Sequence, residues 1–234
     1  MRYLIADLVT EFTARYDETK LLAEPFAYSG ERKTDIHLEV SEKHLKNLMN
    51  RSAEGTTIEQ MENLALSAAF NRSVIAYNTM LVHSSALIYN GEAYLFSGNS
   101  GVGKSTHTRL WLKAFGDKVH IMNDDKPVVK IYKDKAVAFG TPFDGGSGIA
   151  LNENYPLKAI IFIERGEKNI VRIPDRKEII QKLYFQTVRM VNKDTAEKIL
   201  VNIEKLLYIT KFFVLVCNTD ISAPVIAFNN IVEK

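Results

Sequence analysis

The stretch GNSGVGKST, Gly98 to Thr106, sets Gly98, Gly103, Lys104 and Ser105 in the spacing G-x-x-x-x-G-K-[ST], directly behind the apolar run AYLF. Three of the chain's 12 glycines fall within these nine residues. Without β-carbons, consecutive backbone N–H groups can turn inward on an anion, and the helix that follows offers its positive end to the same charge. The chemistry such a spacing serves is the holding of nucleotide phosphates. The expected ATP contacts are Gly98, Asn99, Ser100, Gly101, Val102, Gly103, Lys104, Ser105 and Thr106. Lys104 would reach the β and γ phosphates, and the Ser105 hydroxyl would help hold Mg²⁺. Asp124 and Asp125 follow the short run VHIM, where a nucleotide-binding sheet presents groups at its carboxyl edge. Two adjacent acids there can divide the work, one completing the Mg²⁺ site and one accepting the proton of an attacking hydroxyl. Adjacency alone leaves open which does which.

A histidine stands within reach of this loop by counting. If Asn90-Gly91 is a two-residue hairpin turn, Tyr89 pairs with Glu92, Ala86 with Leu95 and His83 with Gly98. Other chemistry-bearing residues carry weaker signals. Asp144 in GTPFDGGSG is a candidate metal ligand or substrate contact, or simply part of a surface loop. Arg165 and Arg189 are candidate phosphate clamps. His107, on the first turns of the loop's helix, could face nucleotide or solvent. His37, His44 and His120 have no evident partner.

The elements that must position these groups read as strands and helices in alternation. A helix is expected from about Thr57 to Ala69, followed by a strand MLVHSSALIY, the Asn90-Gly91 turn and a strand EAYLFS. After the glycine loop, a helix from about Lys104 to Phe115 has Leu110, Trp111, Ala114 and Phe115 on its inner face and Gly116 as its carboxyl cap. Then come the strand VHIM, the cluster NDDKP, a hairpin VVKIYKDKAVAF, the glycine-rich GTPFDGGSG and a strand AIIFIE. Asp194 is the expected cap of a helix carrying Ile199, Ile203 and Leu206, and FFVLVC is the last strand. Before Met80 only short pieces such as DIHLEV read as strand. The expected fold class is α/β: a mixed β-sheet phosphate-loop domain with flanking helices over residues 76–234, and a small amino-terminal α+β lobe or outer layer over residues 1–75, a candidate acceptor-binding region.

Bulk properties narrow the function classes. With 30 Lys and Arg against 28 Asp and Glu, the formal charge is only +2, which gives no ground for nucleic-acid or membrane binding. No apolar run approaches the roughly 18 residues of a membrane span, and Asp7 and Glu11 interrupt any leader-like run, so a cytoplasmic protein is expected. The single cysteine, Cys217, sits in FFVLVC and reads as buried structure rather than a reactive thiol. A GTPase switch is disfavoured by the lack of N-K-x-D and D-x-x-G elements. NKD at Asn192 has the wrong spacing.

HSSALIYNGEAYLFSGNSGVGKST followed by NDD resembles the catalytic domain of HPr kinase/phosphorylase, which is distantly similar to ATP-dependent phosphoenolpyruvate carboxykinase. The resemblance is most specific over residues 81–126 and implies that His83, Lys104, Ser105, Asp124 and Asp125 are active-site positions. It implies Asp124 as general base and Asp125, with Ser105, as metal ligand. It also implies an ATP-dependent kinase acting on a serine-type hydroxyl of a peptide, protein or small molecule, with ATP and Mg²⁺ as cofactors. FDGGSGIALN holds no arginine where that family's phosphorylase reaction uses one, so phosphorylase activity is not expected. Related catalytic domains are often oligomeric, which is the sole pointer to a homo-oligomer. The alternative within the same fold is a regulatory or non-catalytic ATP-binding module.

Overall fold

The computed structural model describes residues 1–187 and 192–233. The amino-terminal residues form a hairpin of β1 (Arg2–Ile5) and β2 (Leu8–Glu11), to which β3 (Ile36–His37) adds in parallel. Three helices accompany it: α1 (Asp17–Ala23), α2 (Glu42–Met49) and α3 (Ile58–Val74). α3 starts where the sequence places it, because Thr57 and Gln60 make a reciprocal capping box, but it runs five residues past the expected end. Glu62, fully buried on α3, accepts hydrogen bonds from the Arg15 and Tyr16 amides and so ties the chain entering α1 to α3. Of DIHLEV, only Ile36 and His37 are in a strand.

The rest of the chain builds a nine-stranded mixed sheet with helices on both faces. In order its elements are β4 (Thr79–Leu81), β5 (Ser84–Tyr89), β6 (Glu92–Ser97), α4 (Lys104–Phe115), β7 (Val119–Asp125), β8 (Val128–Ile131), β9 (Ala136–Phe139), β10 (Asn154–Arg165), β11 (Ile170–Arg172), α5 (Arg176–Phe185), α6 (Lys193–Ile209), β12 (Lys211–Cys217) and α7 (Ser222–Ala227). The strand order is β4-β8-β9-β10-β6-β5-β7, with β12 beside β10 and β11 beside β12. β10 is the pivot. Its first residues pair antiparallel with β9, and the remainder lies parallel to both β6 and β12.

Period-two alternation sorts the core. Ala86, Ile88, Leu95, Ile160, Phe162 and Val214 face one cluster, covered by Ile179 and Leu183 of α5 and Ile199, Ile203 and Leu206 of α6. Their neighbours Leu87, Tyr94, Phe96, Ile161 and Leu215 face the other, covered by Trp111 of α4 and Ala223 and Ala227 of α7. Buried on both faces, these strands read as continuous apolar runs. A third cluster joins Tyr3, Phe26, Leu66 and Phe70 to Leu81, Val128, Phe139 and Phe143 of the sheet region, so the amino-terminal elements pack on the sheet through shared apolar surface. No helix among the described residues is long and apolar enough to cross a membrane.

Three local expectations need correction. MLVHSSALIY is two strands, because Val82 N–H donates to Pro127 O (3.1 Å) and His83 N–H to Gln186 O (2.7 Å), which takes both residues out of the ladder. The register Tyr89 to Glu92 and Ala86 to Leu95 is as counted, but the ladder stops at Ser84 and Ser97, so His83 and Gly98 do not pair. The helix α6 is capped by Asn192, whose side chain accepts from the Thr195 amide (2.9 Å); Asp194 lies in the first turn, where its charge suits the positive helix end.

Candidate functional site

The glycine loop joins β6 to α4. Gly98, Gly101 and Gly103 all take positive φ (156°, 75° and 117°). A β-carbon at Gly98 would meet Val102 Cγ1 at 3.0 Å and the Ile163 carbonyl at 3.2 Å; at Gly101 and Gly103 it would enter open space. Gly98 is thus required by close packing and the other two by backbone handedness. α4 has Gly103 as its N-cap, with no side chain to accept from its first turn, whereas Ser41, Thr57, Asp175 and Asn192 cap α2, α3, α5 and α6. The helix that follows the loop thus leaves its positive end without a side-chain acceptor, as do the shorter α1 and α7.

Lys104 is 7% exposed, and its Nζ donates to Gly98 O (3.1 Å) and Asn99 O (3.4 Å). Burial lowers its pKa, opposed by the charges of Asp125 and Asp124. Arg165, a candidate phosphate clamp, donates to the Gly101 carbonyl and to Val102 O (3.3 Å), bracing the loop from its carbonyl side. Arg189 lies outside the described residues.

β7 extends beyond VHIM through both aspartates, and alternation along a strand sends neighbouring side chains to opposite faces. Asp124, 4% exposed, accepts from Ser105 Oγ at 2.9 Å. Asp125 turns to His83, whose Nε2 lies 2.7 Å from its Oδ1, and to Lys126 Nζ, 3.3 Å from its Oδ2. Of the two acids it is Asp124 that touches Ser105, whereas the resemblance sets Asp125 with Ser105 as metal ligand. Burial would raise the Asp125 carboxyl, but the His83 hydrogen bond and the Lys126 and His83 charges outweigh it and hold the pKa at about 2. Its φ of 123° is costly for a residue with a side chain, and such strain is retained where surrounding contacts enforce it.

Those contacts come largely from GTPFDGGSG. Asp124 N–H donates to Ile149 O (3.3 Å) and Gly145 N–H to Asp124 O (3.2 Å). A β-carbon at Gly145 would sit 3.0 Å from Asp125 Cβ. Asn123, fully buried, donates to the Thr141 and Phe143 carbonyls and accepts from the Lys126 amide. Asp144 is 5% exposed, and its Oδ2 accepts from Gly148 N–H (2.6 Å), closing its own turn.

The remaining histidines separate cleanly. His107 is 2% exposed behind the loop, where its Nε2 accepts from Trp111 Nε1–H at 2.9 Å, and burial drops its pKa to about 4. His120 meets Glu153 (2.8 Å) and His37 meets Glu11 (3.3 Å), partners not visible in the sequence. Cys217 is buried, as expected. The site residue that sequence reasoning misses is Gln186, whose Oε1 lies 3.1 Å from His83 Nδ1. It follows α5 in the unremarkable YFQT, and no motif marks it.

Of the cavities that touch the loop, one of about 360 Å³ lies on the side of His107 and Cys217, and two others bear on the candidate site. The larger, about 1250 Å³, is lined by Gly98, Asn99, Val102, Arg165, Tyr184 and Gln186 among others, and it contains neither aspartate. The smaller, about 370 Å³, brings His83, Asp125 and Lys126 against Ser67, Asn71 and Arg72 of α3. Among the described residues no group of three or more His, Cys, Asp or Glu is arranged to hold a metal. A hydroxyl beside a carboxylate, as at Ser105 and Asp124, is a hard-oxygen pair that suits Mg²⁺ when phosphate oxygens and water complete the shell.

No family model matches the chain, and no curated protein sequence matches it. Solved structures similar to it include the HPr(Ser) kinase/phosphatase from Coxiella burnetii, 15% identical, covering 53% of this chain and 93% of that one at a TM-score of 0.31. A likeness at that score is remote, and the chain's own residues must carry any function proposed for it.

Proposed function

We propose that this chain is an ATP-dependent phosphotransferase that passes the γ-phosphoryl group to a hydroxyl of a peptide, a protein or a small molecule. The observation that carries the reading is the convergence on one glycine loop of Lys104, the Ser105 and Asp124 pair at 2.9 Å, and the His83 and Asp125 pair at 2.7 Å. MgATP would supply the electrophilic phosphorus. The loop amides and the open end of α4 would hold its phosphates, Lys104 would turn from the loop carbonyls to them, and Ser105 with Asp124 would hold the cation. Asp125, kept ionised and lining the smaller cavity, would orient the acceptor hydroxyl and receive its proton as the new O–P bond forms and ADP leaves. His83 would fix that carboxylate. These roles exchange the two aspartates relative to the resemblance, because Asp124 is the one that touches Ser105. The α3 wall of the same cavity makes residues 1–75 the proposed acceptor side.

Trp111, the chain's single tryptophan, is fully buried on α4 behind the loop and is a built-in probe. Titration with MgATP should change its emission saturably, and labelled ATP should then transfer phosphate to one member of a panel of free serine, serine-ended peptides and HPr. Absence of any saturable change would overturn the reading. A second reading is an ATP-binding module without chemistry. It predicts the emission change with no transfer to any acceptor.

A further inference from the structure

Gln186 is 5% exposed and lines both cavities, standing at the partition between them. Three of its hydrogen bonds run to His83 or to the glycine loop. Its backbone carbonyl accepts from His83 N–H at 2.7 Å. Its side-chain Nε2 donates to Asn99 Oδ1, on the glycine loop, at 3.1 Å. Its Oε1 faces His83 Nδ1, also at 3.1 Å.

An amide has one donor end and one acceptor end, so these contacts are not independent. While Asn99 Oδ1 takes the NH₂ end, the oxygen must face the imidazole, which requires a proton on Nδ1. That bond aims Nε2 at Asp125, whose carboxylate only accepts, so the 2.7 Å contact has Nε2–H as its donor as well. If Asn99 leaves Gln186, the amide loses the partner that fixes its sense, and the ring is held in one orientation by its Asp125 contact alone. The two charged groups besides Asp125 that line the same cavity, Lys126 and Arg72, sit on other elements and are cations, which cannot replace the Oε1 acceptor.

We propose that Gln186 is a positioning residue that couples the glycine loop, through Asn99, to the orientation of the His83 imidazole against Asp125. Coupling of this kind is reciprocal, so the state of the loop sets the state of the ring and the ring's state feeds back on the loop. The inference rests on the proposed function only for what fills the two cavities; the hydrogen-bonded chain itself does not.

The test is nuclear magnetic resonance of histidine ¹⁵N-labelled protein at one pH, with the His83 signals assigned by their loss in His83→Asn. The native protein should show a proton bound to His83 Nδ1. Gln186→Leu should lose that signal, and Gln186→Glu, which keeps an acceptor oxygen but cannot donate to Asn99, should retain it. Asn99→Ala, which touches no atom of His83, should shift the His83 signals in the native background and leave them unmoved in Gln186→Glu. MgATP should reproduce that pattern, with Trp111 emission in the same samples reporting whether nucleotide is bound. A flat emission titration with the Asn99→Ala pattern intact would remove the proposed function and leave the coupling standing. Unchanged His83 signals in Gln186→Leu, or an Asn99→Ala shift of equal size in Gln186→Glu, would overturn the coupling. Should Gln186→Leu fail to fold, the Gln186→Glu and Asn99→Ala pair decides alone.

Discussion

Ser105 Oγ donates to Asp124 Oδ1 across 2.9 Å, and this bond joins the first turn of α4 to the carboxyl end of β7. The two oxygens act as one ligand set if they hold a cation between loop and sheet, and residues that act as a unit give losses that do not add. Ser105→Ala and Asp124→Asn should each lower Mg²⁺-dependent turnover by about 100-fold or more, and the double variant should be little worse than the poorer single one. Magnesium titrations of all three variants measure this. Losses that multiply would show that the two side chains serve separate steps.

Asp125 should behave differently. It contacts His83 and Lys126 rather than Ser105, and it lines the cavity proposed for the acceptor. Asp125→Asn should leave the Trp111 response to MgATP near its native midpoint while turnover falls by about 10² to 10⁴. If Asp125→Asn instead loses the nucleotide response and Asp124→Asn keeps it, the roles implied by the resemblance are the correct ones.

Arg72 is the exposed cation on the α3 wall of that cavity. Loss of one charge-assisted contact to an acceptor amounts to about tenfold in affinity. Arg72→Ala should therefore raise the acceptor KM by about that factor with the ATP KM unchanged. A change confined to the ATP KM would remove α3 from the acceptor side.

The loop, its flanking strand and helix, and the hairpin register from Tyr89 to Ala86 were legible because local rules set them: glycine spacing, the Asn-Gly turn and apolar alternation. The register failed at His83 because Gln186, 103 residues away, takes its amide hydrogen, a competition that no window of sequence contains. The same limit applies to the aspartates. Their adjacency was visible, but which one meets Ser105 depends on how β7 twists past α4 and on GTPFDGGSG packing against Asp125. The amino-terminal hairpin passed unread because β1 and β2 are four residues each, too short for a periodic signal.

Gly140 and Gly101 make a contrasting pair for stability. A β-carbon at Gly140 would lie 1.9 Å from the Leu151 carbonyl, a backbone atom that cannot step aside, whereas at Gly101 it would touch nothing. Gly140→Ala should cost about 3 kcal/mol or more, through displacement of the segment that braces Asp125. Gly101→Ala should cost about 1 kcal/mol, the strain of its positive φ alone. Urea midpoints measure both, and equal losses would contradict the packing assigned to Gly140.

Cys217 supplies a pH signature of the core. Burial pushes its thiol from the ordinary value near 9 up to about 11. Between those values the unfolded chain releases a proton that the folded chain retains, so this group's contribution is complete below about pH 9 and is lost as pH rises toward 11. Two pH units correspond to at most about 3 kcal/mol. Lysines and tyrosines titrate in the same window, so the informative quantity is the difference between native protein and Cys217→Ala, in which that component of the slope should vanish even though the truncation lowers stability at every pH. Native Cys217 should also resist alkylation by iodoacetamide at pH 8 until denaturant exposes it. Parallel stability curves for the two proteins from pH 8 to 10.5, or rapid alkylation of the folded chain, would place the thiol outside the apolar cluster it shares with Trp111 and Leu215.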